Sequence, residues 1–353
     1  MSTMSKLQET TSATTVAPRA VLPSAPRAVA DCMPPAVDAV PARRRETARS
    51  LGVAFAVTVA LLIVAPFAIY PIFLMKALCF ALFACAFNLL IGYVGLVSFG
   101  HAMFFGWASY LTAHAAKVWG LPPELAILIG TATAAVLGLV AGGLAIRRQG
   151  IYFAMITLAL AQMMFFFALQ AKFTGGEDGI QGVPRGRLFG IFDLNGEMTM
   201  YLFILVVVLA GLLLIYRIIN SPFGEVLKAI RENEQRTVSL GYNVERYKLV
   251  AFVLSATLAG LAGSLKALVF QLASLTDVHW TMSGDVILMT LLGGLGTVFG
   301  PVAGAFLVVA MQSYLAPFGQ WVLVIQGAVF VVCVLAFRRG IVGELAHALR
   351  VQL

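Results

Sequence analysis

Met198-Thr199-Met200-Tyr201-Leu202-Phe203-Ile204-Leu205-Val206-Val207-Val208-Leu209-Ala210-Gly211-Leu212-Leu213-Leu214-Ile215-Tyr216-Arg217-Ile218-Ile219 carries a single charged residue, Arg217, next to its end. A helix of about 20 apolar residues rises about 30 Å, the thickness of a bilayer's hydrocarbon core. The run therefore reads as a membrane span. Others precede it at Leu51–Tyr70, Ile72–Ile91, Phe99–Trp119, Glu124–Ile146 and Ile151–Ala171. Leu249–Phe270, Val286–Leu295, Pro301–Ala316 and Trp321–Phe337 follow it. The composition agrees: of 353 residues 60% are apolar and 11% charged, with a mean hydropathy of +0.93. A soluble domain is about 45–50% apolar and about 25% charged, so a soluble enzyme is excluded. The expected fold is all-α, a polytopic transmembrane bundle of eight to ten spans. Val286–Leu295, at ten residues, is half a span long and leaves open a re-entrant half-helix or a short crossing.

The net charge of +8 would suggest nucleic acid in a soluble chain. Here Lys and Arg mark cytoplasmic loops, and no nucleic-acid partner is expected. With the N-terminus placed inside, alternation puts 18 basic residues in the cytoplasm and 6 outside. That assigns Lys172–Glu197 to the outside and Asn220–Tyr247 to the inside, with both termini cytoplasmic. Residues 1–50 hold six prolines and no long apolar run. They are expected to form a disordered basic cytoplasmic tail and not a cleaved signal peptide, with Arg43–Arg45 anchoring the topology. Residues 51–340 then form the membrane domain, and 341–353 a short cytoplasmic tail. Cys32, Cys79, Cys85 and Cys333 form no C-x-x-C pair and read as packing residues, with neither disulfide framework nor metal site indicated.

Two interrupted stretches resemble each other: Leu89-Leu90-Ile91-Gly92-Tyr93-Val94-Gly95-Leu96-Val97-Ser98-Phe99-Gly100 and Leu291-Leu292-Gly293-Gly294-Leu295-Gly296-Thr297-Val298-Phe299-Gly300. Broken apolar segments at matching places point to a transport pathway, because freed backbone groups need a protein or water-lined cover. Asn88, Gly92, Gly95, Ser98, Gly100, Gly293, Gly296 and Gly300 are the candidate pathway residues. Helix packing through small residues is the alternative, and it accounts for Gly138, Gly142, Gly143, Gly260 and Gly263. Intramembrane polar residues are few: Asn88, His101, Gln162, Asp285 and Gln312. No carboxylate accompanies His101, so it is expected to be a hydrogen-bonded packing residue and not a proton relay. Asp285 is expected to cap a half-helix starting at Val286. The dipeptide Gly-Lys does not occur, nor do H-E-x-x-H and G-x-S-x-G. The chain thus has no P-loop ATPase site of its own and no catalytic constellation.

Asn220–Tyr247 has another character. Ser221 and Pro222 suit a helix start. Phe223, Val226, Leu227 and Ile230 form a stripe at i, i+3, i+4 and i+7, with Glu225, Lys228, Arg231 and Glu232 on other faces. A second short helix should end at Leu240, with Gly241 as its C-terminal cap. The mixed charges favour docking of a protein over adsorption to lipid.

The run Leu227-Lys228-Ala229-Ile230-Arg231-Glu232-Asn233, Leu240-Gly241, Arg246-Tyr247-Lys248-Leu249, Thr174-Gly175-Gly176, Asp178-Gly179-Ile180, Gly182-Val183-Pro184 and Leu291–Pro301 stand in one order. Together they resemble the permeases of branched-chain amino acid ABC transporters, the LivH/LivM family, over roughly residues 55–340, and the LivM type more closely. The resemblance implies a type II ABC importer permease of the bacterial inner membrane. It implies pairing with a second permease, two cytoplasmic ATP-binding subunits and a periplasmic substrate-binding protein. ATP and Mg would act on those partner subunits, with no cofactor in this chain. Gly224, Ala229, Arg231, Glu232, Asn233 and Gly241 are carried over as the ATPase-coupling contact. Thr237-Val238-Ser239 departs from the alanine-rich stretch of many relatives. The implied activity is inward movement of branched-chain or related hydrophobic amino acids. Urea or short amides are the alternative cargo, and an ATP-independent channel or carrier the rival class.

Overall fold

Proline lacks a backbone donor and pre-sets a helical φ, so it suits a helix's first turn. It stands there in α1 (Pro71–Tyr93), α3 (Pro123–Ala145), α6 (Pro222–Glu232) and α10 (Gly300–Leu315) of this protein, which we describe from a computed structural model. The structure describes residues 62–336 except 68, 189, 191 and 320, together with Gly340 and Glu344. The tail at 1–50, most of the first apolar run, Arg338, Arg339 and the segment 341–353 apart from Glu344 lie outside the described residues. Between the proline-led helices run α2 (His101–Lys117), α4 (Ile151–Gln170) and α5 (Glu197–Ile219). The rest are α7 (Glu234–Ser239), α8 (Val244–Phe270), α9 (Trp280–Gly293) and α11 (Trp321–Ala336). The protein is all-α, apart from two-residue strands. Among the described helices, α1, α3, α4, α5 and α8 are long and apolar enough to cross a membrane.

Their packing follows from which faces are apolar. α1 is hydrophobic all round and almost wholly buried, the behaviour of a central helix. α8 packs against α1, α2 and α3, while α10 and α5 flank α1. α3, α4 and α5 keep large apolar side chains on the outside, among them Leu128, Phe166 and Val206, each more than half exposed. A bilayer or a membrane partner accommodates such faces. Small residues permit the closest approaches: a Cβ on Gly260 would collide with Ala134, and one on Gly263 with the Phe105 carbonyl. Gly138 and Gly142 also meet α8 closely, whereas Gly143 points away from this chain's own helices.

At one end, β1 (Ile180–Gln181) pairs antiparallel with β4 (Leu272–Ala273), and β2 (Arg187–Leu188) with β3 (Phe192–Asp193). The segment between α4 and α5 is thus tied to the end of α8. Lys117 Nζ donates to the Gln181 carbonyl at 2.7 Å, Arg185 to that of Val269 at 2.8 Å. Lys266 forms a buried ion pair with Asp277 at 2.6 Å. At the opposite end lie the α3–α4 turn and the pair α6–α7. There Gln149 and Lys248 both bond Glu234, at 2.8 and 2.7 Å.

The expected start of the short helix is corrected, while at 14 residues it stays shorter than a full span. α9 begins at Trp280, not Val286, and its N-cap is His279, whose side chain accepts from Thr281 N. Polar side chains hid its first turns: buried Ser283 accepts the Ala102 N–H at the start of α2. Asp285 therefore caps nothing. It lies within α9, where Gln312 of α10 and Gln326 of α11 donate to its two oxygens at 3.2 Å each. The His101 expectation agrees with the structure, since its Nε2 lies 2.9 Å from Ser255 Oγ.

Candidate functional site

The two glycine-rich breaks meet. α1 ends at Tyr93, and the N–H groups of Val94, Gly95 and Leu96 all converge on the Leu90 carbonyl. Asn88, 3% exposed, reads the second break through its side-chain amide. Its Nδ2 donates to the Thr297 carbonyl at 2.8 Å, and its Oδ1 accepts from Gly296 N at 3.1 Å. Tyr93 Oη donates to the Gly296 carbonyl at 2.9 Å. Backbone groups outside regular structure need such partners at membrane depth. Gly296 stands at φ +75°, a conformation that costs other residues energy. Gly293 is excluded from bearing a side chain by contact, since a Cβ there would overlap the Gly300 carbonyl.

The candidate pathway residues accordingly fall into three groups. Asn88, Gly92, Gly95 and Gly296 come together at the junction. Gly293 and Gly300 face each other across the bend between α9 and α10, where Gly300 N donates to Thr297 Oγ1 at 3.1 Å. Ser98 and Gly100 belong elsewhere: Ser98 Oγ accepts from Gly100 N, and Gly100 packs on the Thr157 carbonyl of α4.

The pair α6–α7 lies beneath the junction. Ser221 caps α6 by accepting from Gly224 N, and Gly241, at φ +87°, follows α7. The apolar stripe packs inward, with Leu227 and Ile230 under 4% exposed, Val226 half-buried and the half-buried Phe223 stacked on Tyr247. Gly224 turns tightly under α5, where a Cβ would strike the Ile219 carbonyl. Asn233 ends α6 and caps α7, its Oδ1 accepting from Arg236 N at 3.0 Å. Ala229 and Glu232 are exposed. Arg231 is exposed too, but its tip turns toward its own chain, where Nη1 donates to the Gly92 carbonyl. An open cleft of ≈ 500 Å³ is lined there by Gly92, Tyr93, Lys228, Arg231, Glu232 and Gly296. Sequence reasoning missed Tyr93 and Thr297 as junction residues, although both stand inside the repeated pattern. It also missed the Lys248–Glu234–Gln149 cluster, for which spacing carries no signal. Among the described residues, no group of three or more His, Cys, Asp and Glu could hold a metal ion.

A multi-pass helical bundle with a surface helix pair seated under a broken-helix junction has the architecture of a membrane permease. Residues 69–334 match the family described as "Branched-chain amino acid transport system / permease component", and the chain belongs to that family. It is 28% identical over 267 residues to the "High-affinity branched-chain amino acid transport system permease protein LivM" of Escherichia coli (strain K12), covering 69% of this chain and 63% of that one. The "Probable branched-chain amino acid transport permease protein LivH" of Methanocaldococcus jannaschii is 24% identical, over 58% of this chain and 67% of its own. The "Fructose import permease protein FrcC" of Rhizobium meliloti is 24% identical, over 61% and 63%. The chain spans less than two thirds of the E. coli and Salmonella LivM relatives. No solved structure matches it. The family and its apolar helices make this a multi-pass integral protein of the bacterial inner membrane.

Proposed function

We propose that this chain is a membrane-spanning subunit of an ATP-driven importer that moves branched-chain or similar hydrophobic amino acids inward by alternating access. The observation that carries the reading is the helix pair α6–α7, bonded through Arg231 to the end of α1 beside both breaks. Such a pair can pass a push from a docked subunit into the membrane. Its partners are then a second permease, two ATP-binding subunits on the α6–α7 side and a substrate-binding protein on the opposite side. The ATPase contact includes the exposed Ala229 and Glu232, with Gly224, Asn233 and Gly241 shaping the pair. ATP and Mg belong to those subunits, and this chain contributes a path and no cofactor. A sugar cargo is the second reading, resting on the relatives named for fructose and xylose.

The test uses the complete complex in proteoliposomes, with labelled leucine, fructose and urea as separate probes. The expected outcome is leucine uptake that requires ATP and the ATP-binding subunits. Leucine uptake that persists without those subunits overturns the importer reading. Fructose or urea uptake without leucine uptake overturns the cargo.

A further inference from the structure

α1 ends without a partner of its own for the Gly92 carbonyl. The amide that would bond it in a continuing helix, Leu96 N, instead donates to the Leu90 carbonyl. A helix C-terminus gathers partial negative charge, and a cation there is favourable. Arg231, from a helix 139 residues later, supplies both the donor and the charge. The rest of its side chain crosses the same ground. A Cβ on Gly95 would lie 3.2 Å from Arg231 Cγ, and one on Gly296 would lie 3.4 Å from Nη1. The arginine is therefore laid over two glycines of the junction, one from each break.

Behind it the junction is already clasped. The Asn88 amide engages Gly296 N and the Thr297 carbonyl as a neighbouring strand would, and Tyr93 holds the Gly296 carbonyl. A continuous path of hydrogen bonds thus runs from α6 through Arg231 to the end of α1, and through Asn88 into the bend between α9 and α10. Beside it, at the joint between α6 and α7, Lys248 and Gln149 hold Glu234, and these three line one cleft with Arg231 and Gly95.

We propose that Arg231 is a positioning residue acting inside this chain: a strut that transmits displacement of α6 to the paired breaks, and not a contact with the ATP-binding subunit. The proposal rests on the importer reading above for the source of the displacement. It differs in assigning Arg231 to the membrane side of the helix pair. The guanidinium suits the role because its planar fork holds a carbonyl in a fixed direction while remaining charged. Lysine keeps the charge and loses the fork.

The experiment compares wild type, Arg231→Met and Arg231→Lys in the assembled complex, reading three quantities: retention of the ATP-binding subunits on purification, ATP hydrolysis, and leucine uptake per ATP hydrolysed. Arg231→Met is expected to retain the subunits and hydrolysis, and to lower uptake per ATP by about tenfold, the weight of one charge-assisted hydrogen bond. Arg231→Lys is expected to fall between. Loss of the subunits in Arg231→Met would show a docking contact and overturn the proposal, as would unchanged uptake per ATP. If the Met variant itself fails to fold or accumulate in the membrane, Arg231→Lys alone decides, and wild-type coupling in it overturns the strut. Hydrogen exchange of segments 94–97 and 295–298 keeps the test independent of cargo. If the wild-type complex carries no leucine, the cargo reading fails. Faster exchange in either variant then supports the strut, and unchanged exchange overturns it.

Discussion

His101 shows how far one hydrogen can be traced. Ser255 has a single hydroxyl hydrogen, and it is donated to the Ala86 carbonyl at 2.5 Å. The 2.9 Å contact with His101 Nε2 must then be donated by the ring, which fixes the Nε2–H tautomer. Nδ1 has no partner among the described residues, and Phe87, Phe104 and Phe252 surround the ring edge-on. That cage holds the ring by packing, with Ser255 its one polar side-chain contact among the described residues. We expect His101→Gln to keep transport within about threefold of wild type with an unaltered pH profile, a small loss for one replaced hydrogen bond. His101→Ala should lower stability by about 3 kcal/mol through the cavity it opens, read as thermal unfolding in detergent. Abolished transport in the Gln variant would reinstate a relay. The packing role was legible in the sequence because no carboxylate accompanied this histidine. The place of Asp285 was not, because its glutamine partners come from α10 and α11, 27 and 41 residues away.

At the scale of elements, period and caps carried most of the information. The stripe from Phe223 to Ile230 and the caps at Ser221 and Gly241 were readable because helix faces and helix ends obey local rules. The junction was readable only as a resemblance between two glycine patterns; that they touch depends on the packing of α1 against α10. The anchorage of α7 was not readable at all. Lys248 is 4% exposed, whereas its partner Glu234 keeps 30% of its side chain in solvent. The asymmetry predicts unequal mutants. Glu234→Ala strands a buried ammonium and should cost about 3 kcal/mol, while Lys248→Met leaves a carboxylate able to rehydrate and should cost about 1 kcal/mol. The double variant should recover most of the difference. Equal losses, measured by thermal unfolding of the purified protein, would mean that the pair is not what holds α7 to α8.

For the whole molecule the question is which way it faces. The two ends are defined by contact: β1, β4, Lys117 and Arg185 at one, Gln149, Glu234 and Arg231 at the other. Arg147, Arg148, Arg217, Lys228, Arg231, Arg236, Arg246 and Lys248 crowd the second, against Lys76, Lys117, Lys172, Arg185, Arg187 and the Asp277-paired Lys266 at the first. Positive charge is retained on the cytoplasmic side, so α6–α7 should face the cytoplasm, as ATP-driven coupling requires. Impermeant thiol labelling can test this, because Cys79 and Cys85 are buried. With Cys32 and Cys333 replaced by serine, Asp178→Cys should label on intact cells. Gln235→Cys should label only after permeabilisation. Both positions are exposed, so burial cannot mimic the result. The reverse pattern would put the helix pair outside, where no ATP-binding subunit could reach it, and the importer reading would fall with the orientation.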